Sequence, residues 1–139
     1  MKTVSQLSLF VYNNTKLPLE RINRITEIIY RQEKIARGRI TNLICSSDYT
    51  IKKLNRIYRN IDKTTDVLSF PFDEKDLLGE IYISLRRTEV QASRYKVTFN
   101  DEFVRLFVHG MFHLAGYDHI KENDRKIMEA LERRLLDRY

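Results

Sequence analysis

Cysteine is almost absent: Cys45 is the only one in 139 residues. One thiol cannot close a disulfide within the chain, which excludes a disulfide-stapled secreted scaffold and points to a reducing, cytoplasmic home. No neighbouring residue marks Cys45 as reactive, so it is expected to be a packed small hydrophobe and not a nucleophile. Long apolar runs are missing as well. Nothing approaches the run of about eighteen apolar residues that a membrane span needs. The opening residues 1–11 lack the apolar core and cleavage site of a secretory signal. No membrane partner is expected. Internal repeats, low-complexity tracts and linkers are absent too, so the chain reads as one domain over residues 1–139. A chain of that length buries about two-thirds of the surface its unfolded form exposes.

Acidic residues are in deficit. Twenty-five Lys and Arg stand against nineteen Asp and Glu, giving +6 and a sequence pI near 9.5. This balance favours a polyanionic partner, although solvated surfaces alone make many proteins basic.

Taken in order, residues 6–12 are rich in β-formers and predict a strand closed by Asn13 and Asn14. Pro18 opens a helix with Leu19, Ile22, Ile25, Ile28 and Ile29 at helical spacing, running to about Arg37, where Gly38 ends it. Residues 40–46 read as a second strand. Asp48 is placed to cap a helix over 49–58, with Ile51, Leu54 and Ile57 as its buried stripe and Lys52, Lys53, Arg56 and Arg59 outside. Residues 67–70 have the make-up of a short strand that Pro71 stops near a sheet edge. Residues 78–84 form a fourth strand, in which Gly79 marks a bulge or a close approach of backbone. Residues 85–96 return to helix, with Val90 inward and Ala92 or Tyr95 as further core candidates. Asn100 caps the next helix, and residues 103–115 are apolar nearly all round, which makes this helix the buried centre. A last helix over 123–138 carries Ile127, Met128, Leu131 and Leu135 on its apolar face. The order predicts an α+β fold: a small mixed four-stranded sheet packed with about five helices.

Histidine is scarce and concentrated. All three lie in His109-Gly-Met-Phe-His113-Leu-Ala-Gly-Tyr-Asp-His119. Positions i and i+4 of a helix lie about 40° apart around the axis and about 6 Å along it, so His109 and His113 can aim at one point. Gly116 can take positive φ, end the helix and let His119 return to that point. Three neutral imidazoles with a fourth position left to water are what an open, catalytic Zn²⁺ site needs. A lone histidine on an apolar helix is usually a satisfied core group, but three at this spacing favour metal. The frame is that of the metzincin proteases, a metalloprotease-like helix and turn, with one difference. Gly110 stands where those proteases carry the glutamate general base, which disfavours peptidase chemistry by that route. Gly110 either packs tightly against another element or leaves room for a ligand. Met128 is expected to be core beneath the site and not a ligand.

These residues resemble the YbeY endoribonuclease family. The family pattern His-Gly-x-Leu-His-Leu-x-Gly-Tyr-Asp-His is met by residues 109–119, with Phe112 in place of leucine. Leu54-Asn-Arg-Ile-Tyr-Arg59 leading to Thr65-Asp-Val-Leu-Ser-Phe-Pro71 is similar to a second signature, including its functional arginine at Arg59. Leu78-Gly-Glu-Ile-Tyr-Ile-Ser84 is similar to the family's Leu-Gly-Asp-Ile strand. Thr64 and Glu80 depart from the usual proline and aspartate. The resemblance implies a metal-dependent endoribonuclease of single-stranded RNA, acting in 16S rRNA 3′-end maturation and ribosome quality control. It also implies one Zn²⁺ ion and, as partners, proteins of the small ribosomal subunit and a ribosome-associated GTPase.

The residues are compatible with that chemistry. Neutral ligands leave the cation its full charge, which can provide hydroxide without a glutamate base. Arg59 offers a planar fork for phosphate oxygens, unless it is spent on a surface ion pair to Asp62. Tyr117 or Asp118 could orient a ligating imidazole through its second nitrogen, with a turn role equally open to Asp118, and Ser69 could line the cleft. Two alternatives remain at this level. One is a non-catalytic RNA-binding ribosome-assembly factor with a structural zinc. The other is a zinc peptidase-like hydrolase that draws a carboxylate from Asp66 or Glu80.

Overall fold

A helix that is apolar on every side has to be covered on every side. The computed structural model describes residues 16–72, 74–118 and 120–139, together with the backbone of 7–11. Its elements run β1 (Leu7–Val11), α1 (Leu19–Gln32), β2 (Ile40–Ser46), α2 (Asp48–Arg59), β3 (Val67–Pro71), β4 (Leu77–Ser84), α3 (Leu85–Tyr95), α4 (Phe99–Leu114) and α5 (Glu122–Arg138). The apolar helix is α4. It touches β3, β4, α1, α3 and α5. Its Phe103, Phe107, Val108, Met111 and Phe112 have no solvent exposure.

The sheet is four-stranded in the order β1-β2-β4-β3. β1 and β4 run parallel to β2, and β3 runs antiparallel to β4 at the edge, so the sheet is mixed, as expected from the sequence. Alternation sends Leu43 and Cys45 of β2 and Ile81 and Ile83 of β4 into the core with Ile22, Ile25 and Ile29 of α1. Pro71 ends the edge strand, where its missing N–H costs no ladder bond. Gly79 serves both purposes expected of it. The β2–β4 register slips beside it, with Ile40 opposite Leu77 but Thr41 opposite Gly79. A Cβ there would stand 2.5 Å from the Phe70 carbonyl oxygen and 2.6 Å from a Leu114 methyl group.

Several local expectations are corrected. α1 ends at Gln32, short of Arg37, because Lys34 adopts a left-handed conformation (φ 57°) and the Ile35 amide turns back to the Tyr30 carbonyl. Ser47, not Asp48, caps α2, accepting from the Thr50 amide, while Asp48 accepts a 2.6 Å hydrogen bond from the Ser84 hydroxyl. Ile57 is 56% exposed. Its expected inward place goes to Asn55, whose buried amide donates to the Lys63 carbonyl. In α3 the buried residues are Leu85, Thr88 and Ala92, at i, i+3 and i+7, whereas Val90 and Tyr95 face solvent. Thr98 caps α4 in place of Asn100. Ile127 of α5 is exposed, and Met128 and Leu135 are the buried pair. The Asn13–Asn14 turn lies outside the described residues.

Two outcomes follow from this packing. Gly79→Ala should lower unfolding stability by about 1–3 kcal/mol in urea titration, because backbone atoms must move. Gly38→Ala, where a Cβ meets nothing within 4 Å, should change it by less than about 0.5 kcal/mol. Burial leaves Cys45 1% exposed and pushes its thiol up to about 12. Iodoacetamide at pH 8 should therefore label the urea-unfolded chain and spare the native one, read by intact mass.

Candidate active site

His109 and His113 sit on successive turns of α4, with ring centroids 4.7 Å apart and ring planes nearly perpendicular at 83°. Their i, i+4 spacing brings them side by side as expected. They share the wall of a cleft of about 180 Å³ with Arg59, Thr65, Asp66, Val67 and Ser69, so β3 and the segment before it form the opposite wall. Gly110 lies between the histidines in sequence but faces the sheet. A Cβ there would come within 2.9 Å of Ile81 and 3.0 Å of the Ser69 hydroxyl. Of its two possible purposes, tight packing is the one observed.

Each imidazole is held by its Nδ1. The Glu132 carboxylate lies 2.7 Å from Nδ1 of His109, and the Tyr117 carbonyl oxygen lies 3.0 Å from Nδ1 of His113. A carboxylate and a carbonyl accept, so Nδ1 carries the proton, and in the neutral ring that leaves the lone pair to Nε2. This is the arrangement that orients a metal-ligating histidine, and the donor set fits a divalent cation. The turn that delivers Tyr117 is the one expected at Gly116, which adopts φ 105°, with the Tyr117 amide bonded back to the Phe112 carbonyl. Tyr117 thus orients a ring through its backbone, and Asp118 has the turn role, accepting from the Ile120 amide. His119 lies outside the described residues. Among the described residues no group of three metal-ligating side chains occurs.

Arg59 reaches the cleft from the last turn of α2. Its guanidinium donates to the Ser69 carbonyl at 3.3 Å and lies 5.9 Å from the Phe70 ring. Asp62 is paired instead with Lys52, at 4.0 Å. Ser69 lines the cleft and donates to the Gly110 carbonyl, tying β3 to α4. The two carboxylates considered for the metal separate here. Asp66 is on the cleft wall, its Oδ1 accepting from the Val67 amide at 2.8 Å. Glu80 accepts from Asn42 and the Tyr82 hydroxyl, on the sheet face away from inward-facing Ile81 and Ile83.

Thr65 and Val67 also line the cleft, within the segment 65–71 that carries the family likeness, whereas Glu132 lies in no motif. For Glu132 a signal existed: it falls at i+4 from Met128 and i−3 from Leu135, a carboxylate on the buried stripe of α5. Such a carboxylate needs a partner, and His109 is that partner.

Comparison with known proteins agrees with this architecture. The model of the family described as Endoribonuclease YbeY matches residues 11–139. A Ureaplasma parvum protein of that name is 41% identical over 128 residues, covering 89% of this chain and 83% of its own. A Fusobacterium nucleatum protein of the same name is 34% identical over 156 residues, covering 96% of both. The solution structure of a Thermotoga maritima protein superposes with a TM-score of 0.68 at 32% identity, covering 94% of this chain and 87% of that one. With the family model spanning nearly all of its length and named members aligning over most of it, the chain belongs to the YbeY endoribonuclease family.

Proposed function

We propose that the protein is a metal-dependent endoribonuclease specific for single-stranded RNA, acting as a single domain in 16S rRNA 3′-end maturation and ribosome quality control. The observation that carries this reading is the guanidinium of Arg59 facing two Nδ1-anchored imidazoles across one small cleft. His109, His113 and His119 are the residues that would hold one divalent cation, taken here as Zn²⁺. When bound, that ion supplies Lewis-acid activation of water and of a phosphodiester oxygen, the function that Gly110 cannot share as a base.

The remaining chemistry belongs to the chain. Arg59, steadied by the Ser69 carbonyl and the Phe70 ring, presents a planar fork to the scissile phosphate, where negative charge grows in the transition state. Glu132 and the Tyr117 carbonyl fix both rings in the ligating tautomer before any ligand arrives, so little reorganisation is left to the reaction. Among the described residues no helix is long and apolar enough to cross a membrane. The basic balance of the chain suits RNA. Proteins of the small ribosomal subunit and an associated GTPase are the proposed partners, and the cytoplasm the proposed site of action.

RNA cleavage by the zinc-loaded protein, a chelated sample and two variants tests this reading. Arg59→Ala should lower kcat/KM by about 10²–10³ while keeping its zinc. His113→Ala should lose both zinc and cleavage. Equal cleavage in all four samples would overturn the proposal, and cleavage of unfolded protein in place of RNA would favour a peptidase. Glu132→Gln should weaken zinc affinity by about 10–100-fold in competition with a chromogenic chelator, with the fold kept by circular dichroism.

A further inference from the structure

α2 differs from the other helices in its charges. After Asp48, which is turned toward Ser84, it carries no acidic residue, whereas every other helix mixes both signs. Lys52, Lys53, Arg56 and Arg59 are all exposed, and the first turn of the helix carries Tyr49, an aromatic ring left 76% exposed. At 100° per residue, Tyr49, Lys53 and Arg56 lie within about 60° of one another, opposite the buried Ile51, with Lys52 and Arg59 together on one side of them, about 40° and 60° beyond Arg56. Tyr49, Lys52, Lys53 and Arg56 border a shallow depression of about 210 Å³ together with Asp62. Within the described residues the only close ion pair on this face is Lys52–Asp62, 4.0 Å and mostly exposed, which neutralises little.

The direction of the stripe matters as much as its sign. It begins at Tyr49 and ends about 15 Å further on at Arg59, the residue that enters the cleft beside His109 and His113. A row of cations with an exposed ring at its far end, continuous with a phosphate-facing arginine, has the features used to hold single-stranded nucleic acid: charge that follows the backbone and a π-face on which a base stacks. An acidic protein would have no comparable need for the ring or for continuity with the cleft.

We propose that the outer face of α2 is the track by which the RNA strand leaves the cleft, with Lys53 and Arg56 meeting phosphates and Tyr49 stacking a base. The proposal rests on the nuclease reading above and deepens it by naming a binding surface outside the cleft. RNA longer than the cleft gains affinity from this face, and RNA that fills only the cleft does not.

Steady-state cleavage and fluorescence anisotropy with labelled single strands of about four and about twelve nucleotides test it on the zinc-loaded protein. The parent should prefer the longer strand. Tyr49→Ala should raise KM and Kd for that strand about tenfold with kcat kept. The double variant Lys53→Ala with Arg56→Ala should reduce the slope of log Kd against log salt by about 1.4 and abolish the length preference. Variants that match the parent in Kd and salt slope overturn the track. So does a change in oligomeric state by light scattering with RNA affinity unmoved, which would make this face a contact between copies. A parent that binds but never cleaves RNA counts against the nuclease reading, and anisotropy still decides the track by the same criteria.

Discussion

The structure depends on the close contact of α4 with the sheet. Gly110 presents a bare backbone to Ile81 and Ser69, and Gly79 presents one to Leu114, so helix and strands approach closer than side chains at these positions would allow. This contact fixes the height of α4 over β3 and β4 and hence the distance between the two histidines and the cleft wall. A helix interior glycine costs about 1 kcal/mol relative to alanine. At position 110 that cost is offset by packing an alanine would disturb, and the Ser69–Gly110 hydrogen bond stitches the same contact.

With α4 in place, the proposed function depends on holding two imidazoles still. A ring on the edge of a core can rotate, and a rotated ring offers the wrong nitrogen. The chain prevents this from two directions: α5 supplies the Glu132 carboxylate and the turn at Gly116 supplies the Tyr117 carbonyl. Arg59 is held more loosely, by one carbonyl and an aromatic ring, and stays exposed. That suits the role proposed for it, following the charge of an incoming phosphate.

What was legible in the sequence were features written in one residue type at one spacing. The pair His109 and His113, the glycine turn at 116, the Pro71 edge and the apolar α4 all emerge from local pattern, and all are seen. The family likeness carried by residues 54–71, 78–84 and 109–119 added Arg59. Features set by tertiary partners were hidden. Ile57 looks like core by periodicity, yet α2 turns Asn55 inward because the amide can reach the Lys63 carbonyl. Val90 is apolar but lies on the outer side of α3, whereas Thr88, its hydroxyl satisfied on the Ser84 carbonyl, is buried on the inner side. Glu132 belongs with the hidden features, because a carboxylate on a mostly charged helix looks solvated until the imidazole opposite it is known.

The central claim is an open coordination site built from three imidazoles, and X-ray absorption spectroscopy at the zinc edge of the protein loaded with one equivalent of zinc addresses it most directly. The account predicts three nitrogen donors and one oxygen at about 2.0–2.1 Å, with one nitrogen lost in His119→Ala. A sulfur donor, a shell closed by a fourth protein ligand, or a spectrum unchanged by that substitution would contradict it.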